Sequence, residues 1–468
     1  MYDSYGRGRP IPKSPWSQKR SHCIRKWAYL KNRIIPEFDP LNSYEEDVRC
    51  WALINKKNLK EHCEKLLETL ANPQMLKAAW CQICPEPLAW SKQSNTFWDD
   101  VGSWSYLRGL EGVLKKGTFD VGDYKKVTIP KFGKPGTRTI EVPPIDTRVV
   151  ARSVVNVLTP ILDPMFLPMN IGFRPKKTIY DGLAAAEAFV KQGRTHLVSC
   201  DIRDAFGQLP RKRCFQILRS KLYDSSVVNL IEALSIKTRK KGVPQGVATS
   251  PLLLNIYLDH LLDSWWKSKF PTDPLIRYAD DLAVFCKNRT TATNLFAALK
   301  KQITTIGFEL KESESTAVFD LNSGKAVEWL GFKLQFQDQR LEISISNSSW
   351  LKLDYAFADT RRFLDTKIEV ETENQAIAIA TGWLSQKSVA IEKDQLYSET
   401  DKIRQLAAKH DFSLSDFTNE WADEIWATAH ENWQKARRNI GDWVAGAYPY
   451  LDAGQEPSIE RITFRFKA

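Results

Sequence analysis

The chain has 468 residues, 43% of them hydrophobic and 26% charged, enough apolar material for a large core in about two to four subdomains. A formal net charge of +11 favours a polyanionic partner, and no apolar run approaches the roughly 20 residues of a membrane span. Eight cysteines scattered through so long a chain exclude a disulfide framework, and the basic start lacks the apolar core of a signal peptide, so a reduced, cytoplasmic protein is expected.

The first 33 residues carry nine Lys or Arg against one acid, Asp3, and read as a solvated arm as far as Pro15. From Ser21, the pattern Cys23, Trp27, Leu30 predicts a helix whose basic face suits phosphates. Residues 43–92 read as helices, opened by Ser43-Tyr44-Glu45-Glu46, with Leu66, Leu70, Met75, Leu76, Ala79 and Trp80 as core positions. Cys81-Gln82-Ile83-Cys84 has zinc-ligand spacing but no second compact pair, so both cysteines are read as small hydrophobes.

Leu107 to Lys116 is helical, and Lys125 to Pro130 is a strand. Gly133 and Pro135-Gly136 turn the chain into Thr139 to Pro143, which makes a hairpin with Lys131 and Arg138 on its two arms. Two such cations can grip a triphosphate, and Arg offers a forked donor; a solvated basic hairpin is the competing reading. Asp146-Thr147-Arg148 opens the helix Val149 to Leu158. Ile171-Gly172-Phe173-Arg174-Pro175 follows, and Arg174, Lys176 and Lys177 cluster in a loop suited to a nucleic-acid backbone. Tyr180 to Val190 is an Ala-rich helix.

His196-Leu197-Val198-Ser199-Cys200 reads as a buried strand that ends in Asp201, with Phe206 five residues on. Arg239 to Gly246 is a basic loop bearing Gln245, followed by a helix from Ser250 to Trp266. Ile276 and Leu282-Ala283-Val284-Phe285 flank Arg277-Tyr278-Ala279-Asp280-Asp281, so this stretch reads as two short strands turning at Ala279-Asp280. Adjacent carboxylates repel, and a solvated Asp-Asp turn would be the plain reading. The apolar strands on each side, and the third carboxylate at Asp201, argue instead for divalent cations. A strand ending in Asp beside an Asp-Asp hairpin can hold two Mg²⁺ about 4 Å apart, as nucleotidyl transfer requires.

Thr291 to Ile306 is an amphipathic helix, and Trp329-Leu330-Gly331-Phe332 marks a hairpin. Phe363 to Val370 and Ala376 to Leu384 are short helical pieces. Ser413-Leu414-Ser415-Asp416 is expected to cap a long helix on which Phe417, Trp421, Ile425, Ala429 and Trp433 form a core stripe. Lys435, Arg437 and Arg438 stand beside that stripe as candidate phosphate contacts. Ile459 to Phe466 alternates like a strand.

Asp201-Ile202-x-x-x-Phe206, Pro244-Gln245-Gly246-x-x-x-Ser250-Pro251 and Tyr278-Ala279-Asp280-Asp281 occur in the order and approximate spacing of reverse transcriptases. Over about residues 75–340 the chain resembles the branch related to group II intron enzymes. The resemblance implies an α/β (α+β) right-hand polymerase with fingers, palm and thumb. A basic helical extension (1–75) would precede the fingers with the start of the palm (76–200), the palm (201–342), and a helical thumb and tail (343–468). It implies that Asp201 and Asp280 ligate both Mg²⁺ ions, for which Mn²⁺ can substitute, that Asp281 supports them, and that the Ile202 carbonyl completes the nucleotide-bound metal. Lys131 and Arg138 would contact dNTP phosphates, Phe206 would exclude a 2′-hydroxyl, and Gln245 would lie near the nascent base pair. Arg174, Lys176, Lys177 and Tyr278 would contact nucleic acid. Where the family usually has a lysine in a Glu-Lys-Thr-like setting, this chain has Glu314-Ser315-Thr316, and Lys311 is the nearest candidate to protonate the leaving pyrophosphate. The implied partners are an RNA template, a DNA primer or product and dNTPs, with no membrane and a homo-oligomer left open. No nuclease, ribonuclease H or integrase module is evident, so the expected setting is a stand-alone enzyme with a structured non-coding RNA in anti-phage defence. A group II intron maturase, a template-independent polymerase and an RNA-binding splicing or scaffold factor with a vestigial site are the alternatives.

Overall fold

The computed structural model describes residues 65–83, 100–130, 136–175, 177–236, 239–362 and 369–447. Nearly all of the basic extension, the strand expected at Ile459 to Phe466, Cys84, Lys131 and Lys176 lie outside those residues.

Helices α1 (Leu66–Ala71), α2 (Pro73–Ile83) and α3 (Asp100–Lys115) lead to a hairpin of β1 (Lys125–Pro130) and β2 (Thr137–Val142), with Pro130 opposite Thr137. The hairpin expected from the Gly and Pro spacing is therefore present. Helix α4 (Ile145–Leu162) follows, with Asp146 in its first turn where a carboxylate opposes the positive helix end. Then come α5 (Ile179–Lys191), β3 (His196–Asp201), α6 (Ala205–Gln208), α7 (Arg211–Lys221), α8 (Ser225–Leu234) and α9 (Thr249–Leu258). The single helix expected from Ser250 to Trp266 is interrupted: α9 passes through a π-helical turn, Asp259–Asp263, into α10 (Ser264–Lys269).

Strands β4 (Leu275–Tyr278), β5 (Asp281–Cys286) and β6 (Val318–Asp320) join β3 in one antiparallel sheet of order β4-β5-β3-β6, and α11 (Arg289–Thr305) packs on it. Both faces of this sheet are covered, which explains the unbroken apolar runs in its strands. Val198, Cys200, Leu282 and Val284 enter the core that contains α4 and α9. Leu197, Ala283 and Phe285 alternate to a second core with α5, Trp329 and Phe332.

A three-stranded sheet, β7 (Val327–Trp329), β8 (Phe332–Gln337) and β9 (Arg340–Ile345), adjoins that second core. Four helices close the described chain: α12 (Asn347–Arg362), α13 (Glu369–Lys387), α14 (Leu396–Ala408) and α15 (Asn419–Ala447). The cap expected at Ser413 to Asp416 is displaced. Glu373 accepts hydrogen bonds from the Ser413 and Leu414 amides at 3.3 and 2.6 Å, making a separate turn there, and Thr418 Oγ1 caps α15 by accepting from the Trp421 amide at 3.2 Å. The aromatic stripe is buried as expected: Phe417, Trp421 and Ile425 enter a third core with α13 and α14, and Ala429 and Trp433 enter the second. Among the described residues, no helix is long and apolar enough to cross a membrane.

Candidate active site

Strands β3 and β5 pair antiparallel from His196 opposite Cys286 to Asp201 opposite Asp281. Strand β4 returns beside β5 with Tyr278 opposite Asp281, so the Ala279-Asp280 turn lies at the end of the sheet where β3 stops. The Ile202 amide donates to the Asp280 carbonyl at 3.0 Å and ties the turn to the strand. Three carboxylates from distant parts of the chain are thereby gathered at one sheet end.

Their electrostatics are unfavourable without a cation. Burial, and then the charge of Asp201, raises the pKa of Asp280. Burial, a hydrogen bond with Asp201 and the charges of Asp201 and Asp280 push Asp281 up to about 9. The Lys311 ammonium pairs with the Asp201 carboxylate, and its amide donates to the Asp201 carbonyl at 2.9 Å. Burial lowers the Lys311 pKa, but the hydrogen bond to Asp201 and the three nearby carboxylates outweigh it and hold it above the usual value. Glu312 Oε2 accepts from the Asp201 amide at 2.7 Å.

Hard oxygens that repel one another are the donor set that Mg²⁺ or Mn²⁺ takes, and the Lys311 ammonium supplies positive charge there. Among the described residues no three His, Cys, Asp or Glu side chains are already drawn into a closed metal cluster. Asp201 is bonded to Asp281 and to Lys311 instead, so the donors suit a divalent cation, which would have to displace those contacts.

A cleft of about 430 Å³ opens beside Asp201, Tyr278 and Asp281 and is walled opposite by Leu330, Trp383 and Lys387. Half-buried Tyr278 is on its lining. Leu330 and Gly331 make the β7–β8 turn with φ of 51° and 79°. A side chain at Gly331 would come within 2.7 Å of Lys387 Nζ. Lys387 Nζ donates to the Gly331 carbonyl at 3.1 Å and lies 4.0 Å from the Phe332 ring centre. Burial, and then the charge of Lys352, pushes the Lys387 amine down to about 7. The residues around Lys387 in sequence do not mark it; only the approach of α13 to the turn brings it here.

Arg138 is exposed on β2. The hairpin is anchored by the Glu141 amide, which donates to the Gln245 carbonyl at 2.7 Å, and by an ion pair between Arg239 and Glu141. Gln245 is half-buried in that loop. Phe206 is half-buried in α6, its carbonyl accepting from the Val243 amide at 2.8 Å. The exposed ring of Phe173, which sequence reasoning did not single out, stands 6.2 Å from it.

Arg174 departs from expectation. The sequence pattern sets it along a nucleic-acid backbone, yet its side chain is only 7% exposed. Its guanidinium donates to Asp163 at 2.7 Å and to the Leu167 and Asn170 carbonyls at 2.9 and 2.8 Å. Arginine has five donors in a rigid fork, and here they close the loop before α5. Lys177 is half-buried 3.8 Å from Asp181, and burial lowers its pKa. The basic cluster seen in sequence is thus partly an internal scaffold.

Residues 129–334 match the family model described as reverse transcriptase (RNA-dependent DNA polymerase). The chain is 24% identical over 256 residues to the putative COX1/OXI3 intron 2 protein of Saccharomyces cerevisiae, covering 53% of this chain and 29% of that protein. It is 24% identical over 220 residues to the group II intron-encoded protein LtrA of Lactococcus lactis subsp. cremoris, covering 45% and 36%. It therefore spans about a third of the length of these curated relatives. Among solved structures, apo telomerase from Candida tropicalis has a TM-score of 0.40 at 11% identity, covering 72% of this chain and 68% of that one.

Proposed function

We propose that this chain, which carries a reverse transcriptase domain of the group II intron-like branch with a right-hand polymerase fold, copies RNA into DNA at Asp201, Asp280 and Asp281. The observation that carries the reading is the register that sets Asp201 opposite Asp281 beside the Asp280 turn. Two Mg²⁺ ions held by these carboxylates, with the Ile202 carbonyl, would stabilise the attacking 3′-oxygen and the leaving pyrophosphate. Lys311, kept charged by the three carboxylates, is our donor of a proton to a pyrophosphate oxygen. Arg138 with Lys131 grips the triphosphate, Gln245 borders the nascent base pair, and Phe206 excludes a 2′-hydroxyl. Tyr278, Lys177 and the Leu330-Gly331 turn border the primer and template.

The test is dTMP incorporation on poly(rA) primed with oligo(dT). Asp280→Asn and Asp281→Asn should each reduce incorporation to background while primer–template binding stays near that of the wild type. Full activity in either variant overturns the assignment.

For the biological setting, we favour a dedicated structured non-coding RNA in anti-phage defence. An intron's own RNA is the second reading, and the intron-encoded relatives favour it. Sequencing RNA that copurifies with the full chain separates them: an unspliced small RNA supports the first, and an excised intron the second.

A further inference from the structure

Directly before the acidic turn, Arg277 is fully buried and has no role in the chemistry described above. Tyr278 lines the cleft, so alternation along β4 sends the Arg277 side chain to the other face of the sheet. There its Nε donates to the two Asp263 oxygens at 2.9 and 3.0 Å, and Nη2 donates to Oδ2 at 2.6 Å. Nη1 donates to Asn255 Oδ1 at 2.9 Å and to the Ala279 carbonyl at 3.2 Å. One side chain therefore joins α9, the π-helical turn and the catalytic turn.

Ala279 needs such support. Its φ of 59° is in the left-handed region, uncommon for a residue with a Cβ and retained only where the surroundings enforce it. The enforcement is dense. The Arg277 amide donates to the Met169 carbonyl at 2.9 Å, and the Ile171 amide donates to the Arg277 carbonyl at 2.8 Å. Asn255 Nδ2 donates to the Gly172 carbonyl at 2.8 Å. Gly172 lies so close to the turn that a Cβ on it would come within 2.2 Å of the Ala279 nitrogen.

The π-helical turn has a part in this. Asp259 and Asp263 are its two ends, four residues apart and so on one face, as i and i+4 are in an α-helix. Asp259 and Asp263 are thus both turned inward: Asp259 Oδ1 accepts from the Leu167 amide at 2.8 Å, and Asp263 takes the Arg277 fork. A buried pair with one partner removed is strongly destabilising, so the fork and its carboxylate act as a unit.

We infer that Arg277 is a positioning residue: through Asp263 and Asn255 it holds the left-handed Ala279 turn and so sets the direction of the Asp280 and Asp281 carboxylates. The role in catalysis rests on the polymerase reading; the role in arranging the carboxylates does not. Lysine at 277 keeps the charge beside Asp263 but cannot reach Asn255 and Ala279 together.

The experiment compares the full wild-type chain with Arg277→Lys and Asn255→Ala, using Mn²⁺ as the probe and counting free ion by electron paramagnetic resonance. Both variants should weaken Mn²⁺ binding by about tenfold or more, the range seen when partners that orient metal ligands are removed. On poly(rA) and oligo(dT), kcat should fall by a similar or larger factor while the KM for dTTP stays nearly constant. Ile403→Ala, in the third core far from the turn, controls for lost stability and should bind Mn²⁺ as the wild type does. Should Arg277→Lys not fold, Asn255→Ala carries the comparison alone. Mn²⁺ binding within about twofold of wild type in a folded variant overturns the inference. A wild type that binds Mn²⁺ but does not extend this primer sinks the polymerase reading and leaves the positioning role standing.

Discussion

At the scale of single residues, the proposed role of Asp281 in the metal site is set against stability. Burial and its neighbours hold its pKa near 9 in the folded state, whereas an unfolded aspartate titrates near its ordinary value of about 4. Between those values the folded chain keeps a proton that the unfolded chain has lost. Stability from this group is therefore present below about pH 4 and is lost as pH rises toward 9. Asn cannot titrate, so without divalent cations Asp281→Asn should melt a few degrees above wild type near neutral pH, with the gap widening toward about pH 9. Calorimetry across that range checks this, and a gap that is flat or reversed would contradict it. Phe206 makes a different prediction. On the proposed exclusion of a 2′-hydroxyl by its ring, Phe206→Ala should lower the preference for dTTP over UTP by at least about tenfold in kcat/KM. An unchanged preference would remove the gate.

At the scale of elements, the approach of α13 to the β7–β8 turn places an amine where water is scarce. The Gly331 carbonyl and the Phe332 ring recover part of the cost of the Lys387 charge, but burial still leaves its amine near 7. The unfolded lysine binds a proton up to about pH 10, so the folded state disfavours a proton that the unfolded chain keeps. The penalty is full below about pH 7 and shrinks as pH rises toward 10. Lys387→Met keeps the length of the stem, so it should be more stable than wild type at about pH 6.5, with the advantage shrinking by about pH 9.5. Urea melts at the two pH values measure this. An advantage independent of pH would mean that the amine is solvated.

Over the whole molecule, α15 belongs to two cores and fastens the helical C-terminal part to the central sheet. Trp433 is buried in the second core, its ring 6.4 Å from that of Tyr180, while Arg437 pairs with Glu187 at 2.6 and 2.7 Å. Packing should dominate. Replacing a buried Trp by Ala typically costs about 3–5 kcal/mol, whereas an ion pair whose arginine is 40% exposed contributes about 1 kcal/mol or less. Chemical denaturation should therefore show a large loss for Trp433→Ala and little change for Glu187→Gln; equal losses would mean that the ion pair carries the junction.

The amino-acid sequence by itself determined the local pieces: apolar strands that end in Asp201 and flank Asp280-Asp281, the hairpin bearing Arg138, and the aromatic stripe of α15. These depend on residues a few positions apart, where strand and helix periodicity is directly readable. Only the tertiary structure decided what those pieces meet. Lys311 reaches Asp201 across 110 residues, Arg174 turns inward to Asp163, Lys387 closes on Gly331, and Arg277 is spent on Asp263. Each outcome depends on strand order, on which face a side chain leaves, and on whether burial forces a charge to find a partner; the pattern of one segment contains none of these.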